Sequence, residues 1–466
     1  LRPKSDHAKN FHHSFARRRE PSFFQETTMK VGILGAGLSG ISLAYLLQED
    51  KRVESIELWE KADKPGGLCR SYPFAGIGCD VGPHIIFSKN KEVLDLMVRL
   101  LGDNVHKLRR SNKIFHDGRF IKYPFENELS ALSATERDWC LNAFLNNPYE
   151  SYAPESMLEF FLATFGEGIT NLYLRPYNEK IWKFDPAFMD TQMVDRIPKP
   201  PREDIIKSAQ GVATEGYVHQ LHFYYPKRGG VQSLFDAFLK LLGNKVAIRT
   251  NAAVKQVVKL ASGWEVQTAG GEKKFCDKLV STMPVTEMIP MLQAEVPEEV
   301  KSAAKNLKFN SIAICLIHVT RDHLGDNFAV MVPDKAILFH RISKLDFLVP
   351  EEDRDGTTRF MVEVTYRDGD QISKLNDEQL LDRVVEDLAR LKFIDDAKAV
   401  QERQILRQKH AYVIYDLHHR KNMKTLRDFC QGKLGLTLHG RFGEFDYINM
   451  DQVIERSMKQ AKEILS

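Results

Sequence analysis

The run Val31-Gly32-Ile33-Leu34-Gly35-Ala36-Gly37-Leu38-Ser39-Gly40 sets a GxGxxG turn between a strand-like apolar segment and the helical run Ile41 to Gln48. In that context each glycine has a physical task. Gly35 permits a tight turn, Gly37 lets a pyrophosphate approach the backbone, and Gly40 lets the helix pack close to the strand. The free N–H groups and dipole of the helix that opens at Leu38 and Ser39 then face the anion. The next strand, Ser55 to Trp59, ends in Glu60, followed by Lys61. A carboxylate there can accept hydrogen bonds from adenosine ribose hydroxyls. A glycine turn alone is a weak signal, but strand, turn, helix, strand and acid in this order predict a dinucleotide-binding Rossmann unit.

Around this unit, the 466 residues are 43% apolar and 28% charged, enough for two or three packed domains. The formal charge of +3 is spread without a sustained basic stripe, which argues against nucleic acid as a partner. The longest uncharged run, Val31 to Gln48, is interrupted by four glycines that the turn explains, so no membrane span is expected. Cys69, Cys79, Cys140, Cys276, Cys315 and Cys430 are scattered without metal or redox spacing. They read as buried thiols of a cytoplasmic protein, and no metal is expected. Residues 1–28 are basic, lack an apolar core and begin with Leu, so a disordered or non-native extension is expected before Met29, with a mitochondrial presequence as the alternative.

Three further segments point to flavin. Lys61-Ala62-Asp63-Lys64-Pro65-Gly66-Gly67-Leu68-Cys69-Arg70-Ser71 resembles the second glycine motif of the amine oxidase and protoporphyrinogen oxidase superfamily of FAD enzymes. The resemblance implies that Gly67 and Leu68 lie along the cofactor and that Arg70 is near its pyrophosphate. Lys245 to Pro284 alternates as strands about a Gly270-Gly271 turn. It is similar to the superfamily's second cofactor segment, implying that backbone near Val254 reaches the adenine. Leu434 to Leu438 leads to Gly440-Arg441-Phe442-Gly443-Glu444 and then Asn449-Met450-Asp451, which opens the helix Gln452 to Leu465. Asn449 suits an N-cap, and a helix N-terminus at the flavin would favour its reduced anionic form.

The expected fold is α/β, a glutathione-reductase-like FAD-binding Rossmann domain discontinuous over residues 29–90, 223–300 and 405–466. Residues 91–222 are expected to form a mainly helical substrate domain, with a mobile loop near 183–200. Apolar spacing in Asn90 to Leu101, Ser130 to Asn146 and Glu155 to Arg175 supports it. Residues 301–404 are expected to form an antiparallel-sheet substrate domain, from the apolar runs Asn310 to Val319, Ala329 to Val332, Ile337 to Ser343 and Arg359 to Thr365.

Across nearly the whole chain after Met29, the motifs resemble the UDP-galactopyranose mutase family. Gly82-Pro83-His84-Ile85-Ile86-Phe87 is similar to that family's Gly-Ala-His-Ile-Phe-His beside the flavin, and Tyr123-Pro124-Phe125 to its Leu-Pro-Phe. Tyr177-Asn178-Glu179-Lys180-Ile181-Trp182 is similar to Tyr-Thr-Glu-Lys-Gln-Trp, implying that Tyr177 and Trp182 line a nucleotide site. Arg196 matches the arginine of the family's mobile loop and Arg341 a second diphosphate-binding arginine, a pair suited to bidentate contacts. Tyr412 and Tyr415 resemble a Tyr-Tyr-Pro segment facing the diphosphate, with Tyr415 the better candidate. Asp416 replaces the proline there, and His418-His419 replaces an Asn-Asp pair. In Tyr224-Tyr225-Pro226 either aromatic could face the sugar, with Tyr224 taken as the candidate.

The resemblance implies a redox-neutral isomerisation of a nucleotide-diphosphate sugar. Reduced flavin N5 is then the nucleophile, His84 lies beside it, and Arg196 and Arg341 hold the departing diphosphate. NAD(P)H is the possible reductant. An FAD oxidoreductase of the protoporphyrinogen oxidase type is the alternative. The identity of the sugar and the oligomeric state are not readable from the sequence.

Overall fold

The computed structural model describes residues 28–197, 199–215 and 221–466. The side chains of Asp195 and Arg196 lie outside the described residues, as does the expected extension before Thr28.

Met29–Leu34 is the central strand of a five-stranded parallel sheet, flanked by Lys278–Ser281 and Leu436–Leu438 on one side and by Val53–Trp59 and Val246–Arg249 on the other. Its strands come from three separated stretches of chain, so this domain is discontinuous as expected. A parallel strand is covered on both faces, which is why Val31, Ile33 and Leu34 are all buried in a nearly continuous apolar run. The helices Leu38–Leu47, Lys91–Leu101, Gln232–Lys240 and Met450–Leu465 share one core on this sheet. Lys91–Leu101 therefore belongs to the nucleotide layer rather than to the helical insertion. Its periodicity gives an apolar face, but not which sheet that face covers.

The second large sheet has seven strands, in the order Val400–Ile414, Lys308–Val319, Thr358–Tyr366, Arg341–Lys344, Ala329–Met331, Asn112–His116, Arg119–Lys122. Its pairs are antiparallel except that joining Ala329–Met331 to Asn112–His116. One face is covered by the helix Asp377–Arg390. Two members lie outside the expected range. Asn112–Lys122 contributes a hairpin from within the expected helical domain. Val400–Ile414 runs across the expected boundary at 404 and carries Gln408 to Tyr412 towards the parallel sheet. This edge strand presents charged side chains that pair with the covering helix, Arg403 with Glu378 and Asp382 and Arg407 with Asp377, so it lacks the apolar run of a central strand.

The helical insertion is built from Ala134–Leu145, Met157–Ile169, Arg175–Trp182 and Arg202–Ala209. Ser133 with Glu136 and Ser156 with Glu159 form capping boxes that fix the first two starts.

Candidate active site

The glycine turn leaves the C-terminal edge of the parallel sheet, where ligands bind in open α/β folds. It opens into a cleft of about 620 Å³. Gly35, Gly37, Leu38 and Ser39 line it from the turn, and Glu60 and Lys61 from the end of the second strand. Gly67, Leu68 and Arg70 line it from the second glycine motif, and Val254 from the small sheet. Arg441, Asn449 and Met450 close the C-terminal side. Gly40 and Asp451 do not line the cleft. A Cβ on Gly40 would lie 2.2 Å from the Gly35 carbonyl oxygen, so Gly40 sets the helix-to-turn approach from beneath. Gly37 has an extended backbone that any residue adopts, and its nearest neighbour to a Cβ would be Gly67 Cα at 3.8 Å. What Gly37 keeps open is the cleft itself.

The polar groups around the cleft suit an elongated anionic dinucleotide. The Glu60 carboxylate is fixed by the Ala36 N–H at 3.1 Å and the Ala62 N–H at 2.9 Å. At the opposite end the helix Met450–Leu465 begins, its Asn449 N–H donating to Gln452 Oε1 at 3.1 Å. His84 also lines the cleft, and burial, reinforced by the charges of Arg441 and Arg341, pushes its pKa down to about 4. Its Nδ1 and the Nε of Arg441 are buried without a hydrogen-bond partner. Such atoms are rare in a finished interior and fit a bound polar ring system. His410 was not expected here. It lines the cleft with its ring 4.3 Å from that of Phe309, its Nε2 makes no hydrogen bond and lies 3.9 Å from Glu287 Oε1, and burial pushes its pKa down to about 4.

Beyond the His84 and Arg441 end, the helical insertion and the seven-stranded sheet meet in an aromatic and charged wall. Trp182, Tyr412 and Tyr447 form a triangle with ring centroids 5.6 to 5.7 Å apart. The Trp182 indole N–H donates to Asn178 Oδ1 at 2.8 Å, which fixes the ring from its own helix. Tyr177 stacks on Tyr173 at 5.3 Å and meets His340 edge-on at 6.3 Å. The Arg441 guanidinium lies 4.2 Å from the centre of the Tyr447 ring. Arg341 is held by the fully buried Glu363, through Nε at 2.5 Å and Nη2 at 2.7 Å. Burial opposes that charge, but Glu363 raises the Arg341 pKa well above its ordinary value. Lys180, also buried, ties the same helix to the sheet by donating to the Val332 and Asp334 carbonyls at 2.8 Å each.

Two expected substrate residues are elsewhere. Tyr415 is buried, its hydroxyl donating to Asp446 and accepting the Tyr447 N–H at 2.7 Å, so it is a structural strut; Tyr412 is the tyrosine of that strand that faces Arg341 and Glu363. Tyr224 pairs with Lys107 between strands and packs on the nucleotide-domain core, with the Lys107 ammonium 6.0 Å from its ring; like Tyr177, Trp182 and Arg341 it does not line the cleft. A two-residue period turns alternate side chains to opposite faces, and a motif without register cannot say which. His419 is buried with Nε2 on the Phe445 carbonyl at 2.9 Å. The Arg196 side chain lies outside the described residues; its backbone ends the 3₁₀ turn Thr191–Arg196. Glu363 was missed by sequence reading, though a lone acid within the apolar run Phe360 to Val364 is a usable signal for a buried partner.

These features define a flavoprotein with a dinucleotide cleft at the edge of a discontinuous parallel sheet and a polar aromatic wall beyond its far end. The chain belongs to the flavin containing amine oxidoreductases, whose family model matches residues 38–423. Its fold is similar to that of reduced UDP-galactopyranose mutase, at 24% identity and a TM-score of 0.84 over 94% of this chain and 96% of that one. It is also similar to a putative protoporphyrinogen oxidase from Exiguobacterium sp. 255-15, at 16% identity and a TM-score of 0.74 over 94% and 98% of the two chains. A local match of 67 residues joins it to an FAD-binding monooxygenase of Aspergillus terreus, 34% identical over 14% of this chain. The chain spans only 12% and 15% of the length of the curated relatives it matches. No helix among the described residues is long and apolar enough to cross a membrane.

Proposed function

We propose that the protein binds FAD in the cleft and acts as a sugar-nucleotide mutase of the UDP-galactopyranose type. The observation that carries this reading is the wall beyond His84. Arg341 and Arg441 stand among Tyr177, Trp182, Tyr412 and Tyr447, a wall suited to a diphosphate and a flat base rather than to an apolar amine or porphyrin. When bound and reduced, the flavin would supply the nucleophile for a redox-neutral change of sugar ring size. Arg341, with Nη1 left over from its contacts to Glu363, would hold the diphosphate, and Arg196 on its loop would add a second guanidinium. Neutral His84 would offer a hydrogen bond to the flavin without adding charge. NAD(P)H is proposed as reductant, docking beside the flavin.

A second reading, a flavin oxidoreductase of the protoporphyrinogen oxidase type, is favoured by the family match and by the burial of Tyr415 and His419 where a mutase would present polar side chains. Anaerobic incubation with UDP-galactofuranose, with and without dithionite, separates the two. Conversion to UDP-galactopyranose only after reduction is expected. Absence of conversion in both states would reject the galactose nucleotide and leave a different sugar or the oxidoreductase as the better account.

A further inference from the structure

His340 sits within the aromatic and charged wall, 1% exposed, and neither of its ring nitrogens has a hydrogen-bond partner. Buried polar groups are normally paired. Its Nε2 lies 3.8 Å from Glu363 Oε2, just beyond hydrogen-bond reach. That same oxygen accepts from Arg341 Nη2 at 2.7 Å and from the Tyr412 hydroxyl at 3.4 Å. The charges that reach His340 are Arg341 beside it, Glu363 from the adjacent strand, and Lys180 and Lys183 from the helix Arg175–Trp182 and its C-cap. Tyr177 and Tyr412 meet its ring from the helix and the edge strand. Asp334 and Asp387 act on Lys180 from behind. Burial, then the three cations, hold the His340 pKa well below the ordinary imidazole value, so the ring is neutral near pH 7.

This arrangement creates a conflict for an anionic ligand. With Glu363 ionised, the Arg341–Glu363 pair has no net charge, and a diphosphate at Arg341 would lie against a buried carboxylate in a wall that screens poorly. A neutral ring could already donate Nε2–H to Glu363, but only a protonated one would also offset the carboxylate's charge, and one proton on His340 would do so.

We propose that binding of a diphosphate at Arg341 draws a proton from solvent onto His340, whose Nε2–H then shares Glu363 with the guanidinium, so that the site takes up its anion and a proton together. This rests on the diphosphate reading of the wall. The proton leaves with the ligand, and no bond other than N–H is made or broken. Because the anion favours the protonated ring, affinity falls by up to about tenfold per pH unit as pH rises from the ring's pKa in the free protein to its higher pKa in the complex, and is level above that.

The test is calorimetric titration of the oxidised, flavin-loaded protein with UDP-galactose, in buffers of low and high ionisation enthalpy. The ligand's diphosphate is a diester that does not titrate near neutrality, so any proton taken up is on the protein. The expected result is uptake approaching one proton per ligand at neutral pH in the wild type. H340N and H340F should both bind with no buffer-dependent heat and with affinity nearly independent of pH. Binding without uptake in the wild type overturns the proposal and leaves the mutase reading standing. Uptake that survives in either folded His340 variant assigns the proton elsewhere and overturns it too. Absence of binding overturns the diphosphate reading and the proposal with it.

Discussion

Alanine at Gly37 and alanine at Gly40 should fail in opposite ways, although the two glycines are one turn apart. At Gly40 the new Cβ would sit 2.2 Å from the Gly35 carbonyl oxygen and 3.2 Å from Ile33 Cγ2, so the helix must move off the strand. Overpacking of this kind costs about 1–3 kcal/mol, partly offset by the better helix propensity of alanine, worth about 1 kcal/mol. At Gly37 the Cβ meets nothing nearer than 3.8 Å and the backbone is already extended, so the flavin-free fold should change by less than about 0.5 kcal/mol. That methyl group instead enters the cleft. If a pyrophosphate passes there, a steric penalty of about 1–3 kcal/mol weakens flavin binding by about 5- to 150-fold. Urea unfolding of the flavin-free proteins measures the first effect and quenching of flavin fluorescence the second. A Gly37→Ala protein that binds FAD as the wild type does would refute the placement of the pyrophosphate. A Gly40→Ala protein stabilised by the full helix-propensity gain of about 1 kcal/mol would refute the tight helix contact.

The two tyrosines of the edge strand and the segment after it should also separate. Tyr415→Phe removes one hydrogen bond from the part-buried Tyr447 N–H and one from the Asp446 carboxylate, which keeps Arg456, and should cost about 1–2 kcal/mol of stability in chemical unfolding, whereas Tyr412→Phe should leave stability nearly intact and weaken UDP-galactose binding about three- to tenfold. Asp80 is buried, and desolvation raises its pKa to about 6 despite hydrogen bonds from Ser71, Val231 and Tyr225. The folded state therefore binds that proton more tightly than the unfolded state. Its contribution to stability is full below about pH 4 and is lost as pH rises to about 6, a swing of about 3 kcal/mol. Stability measured across this range should fall in the wild type relative to Asp80→Asn, and parallel curves would contradict the assignment. All six cysteines are buried and free, and burial pushes the Cys69 thiol up to about 12, so a thiol reagent should label the native protein only after urea is added.

Much of the nucleotide half was legible because its chemistry is local. A tight turn, a close helix and an acid at a strand end each need particular residues at fixed spacing, and Gly35 to Gly40 with Glu60 state them in sequence. The parallel strand is equally plain, since burial on both faces demands the apolar run Val31 to Leu34. The wall beyond the cleft is different, because it is assembled from a helix, the strands carrying Arg341, Glu363 and Tyr412, and the loop carrying Arg441 and Tyr447, all distant in the chain. Which tyrosine faces inward depends on strand register, and so Tyr412 takes the place expected for Tyr415 while Tyr224 turns to the nucleotide-domain core. Whether Lys91–Leu101 covers one sheet or the other depends on which apolar surface is left to bury, a property of the packed whole. The same holds for the pairing of Arg341 with Glu363 and the isolation of His340. Spacing along the chain determined the cleft; only packing between its segments determined what the far end of that cleft presents to a ligand.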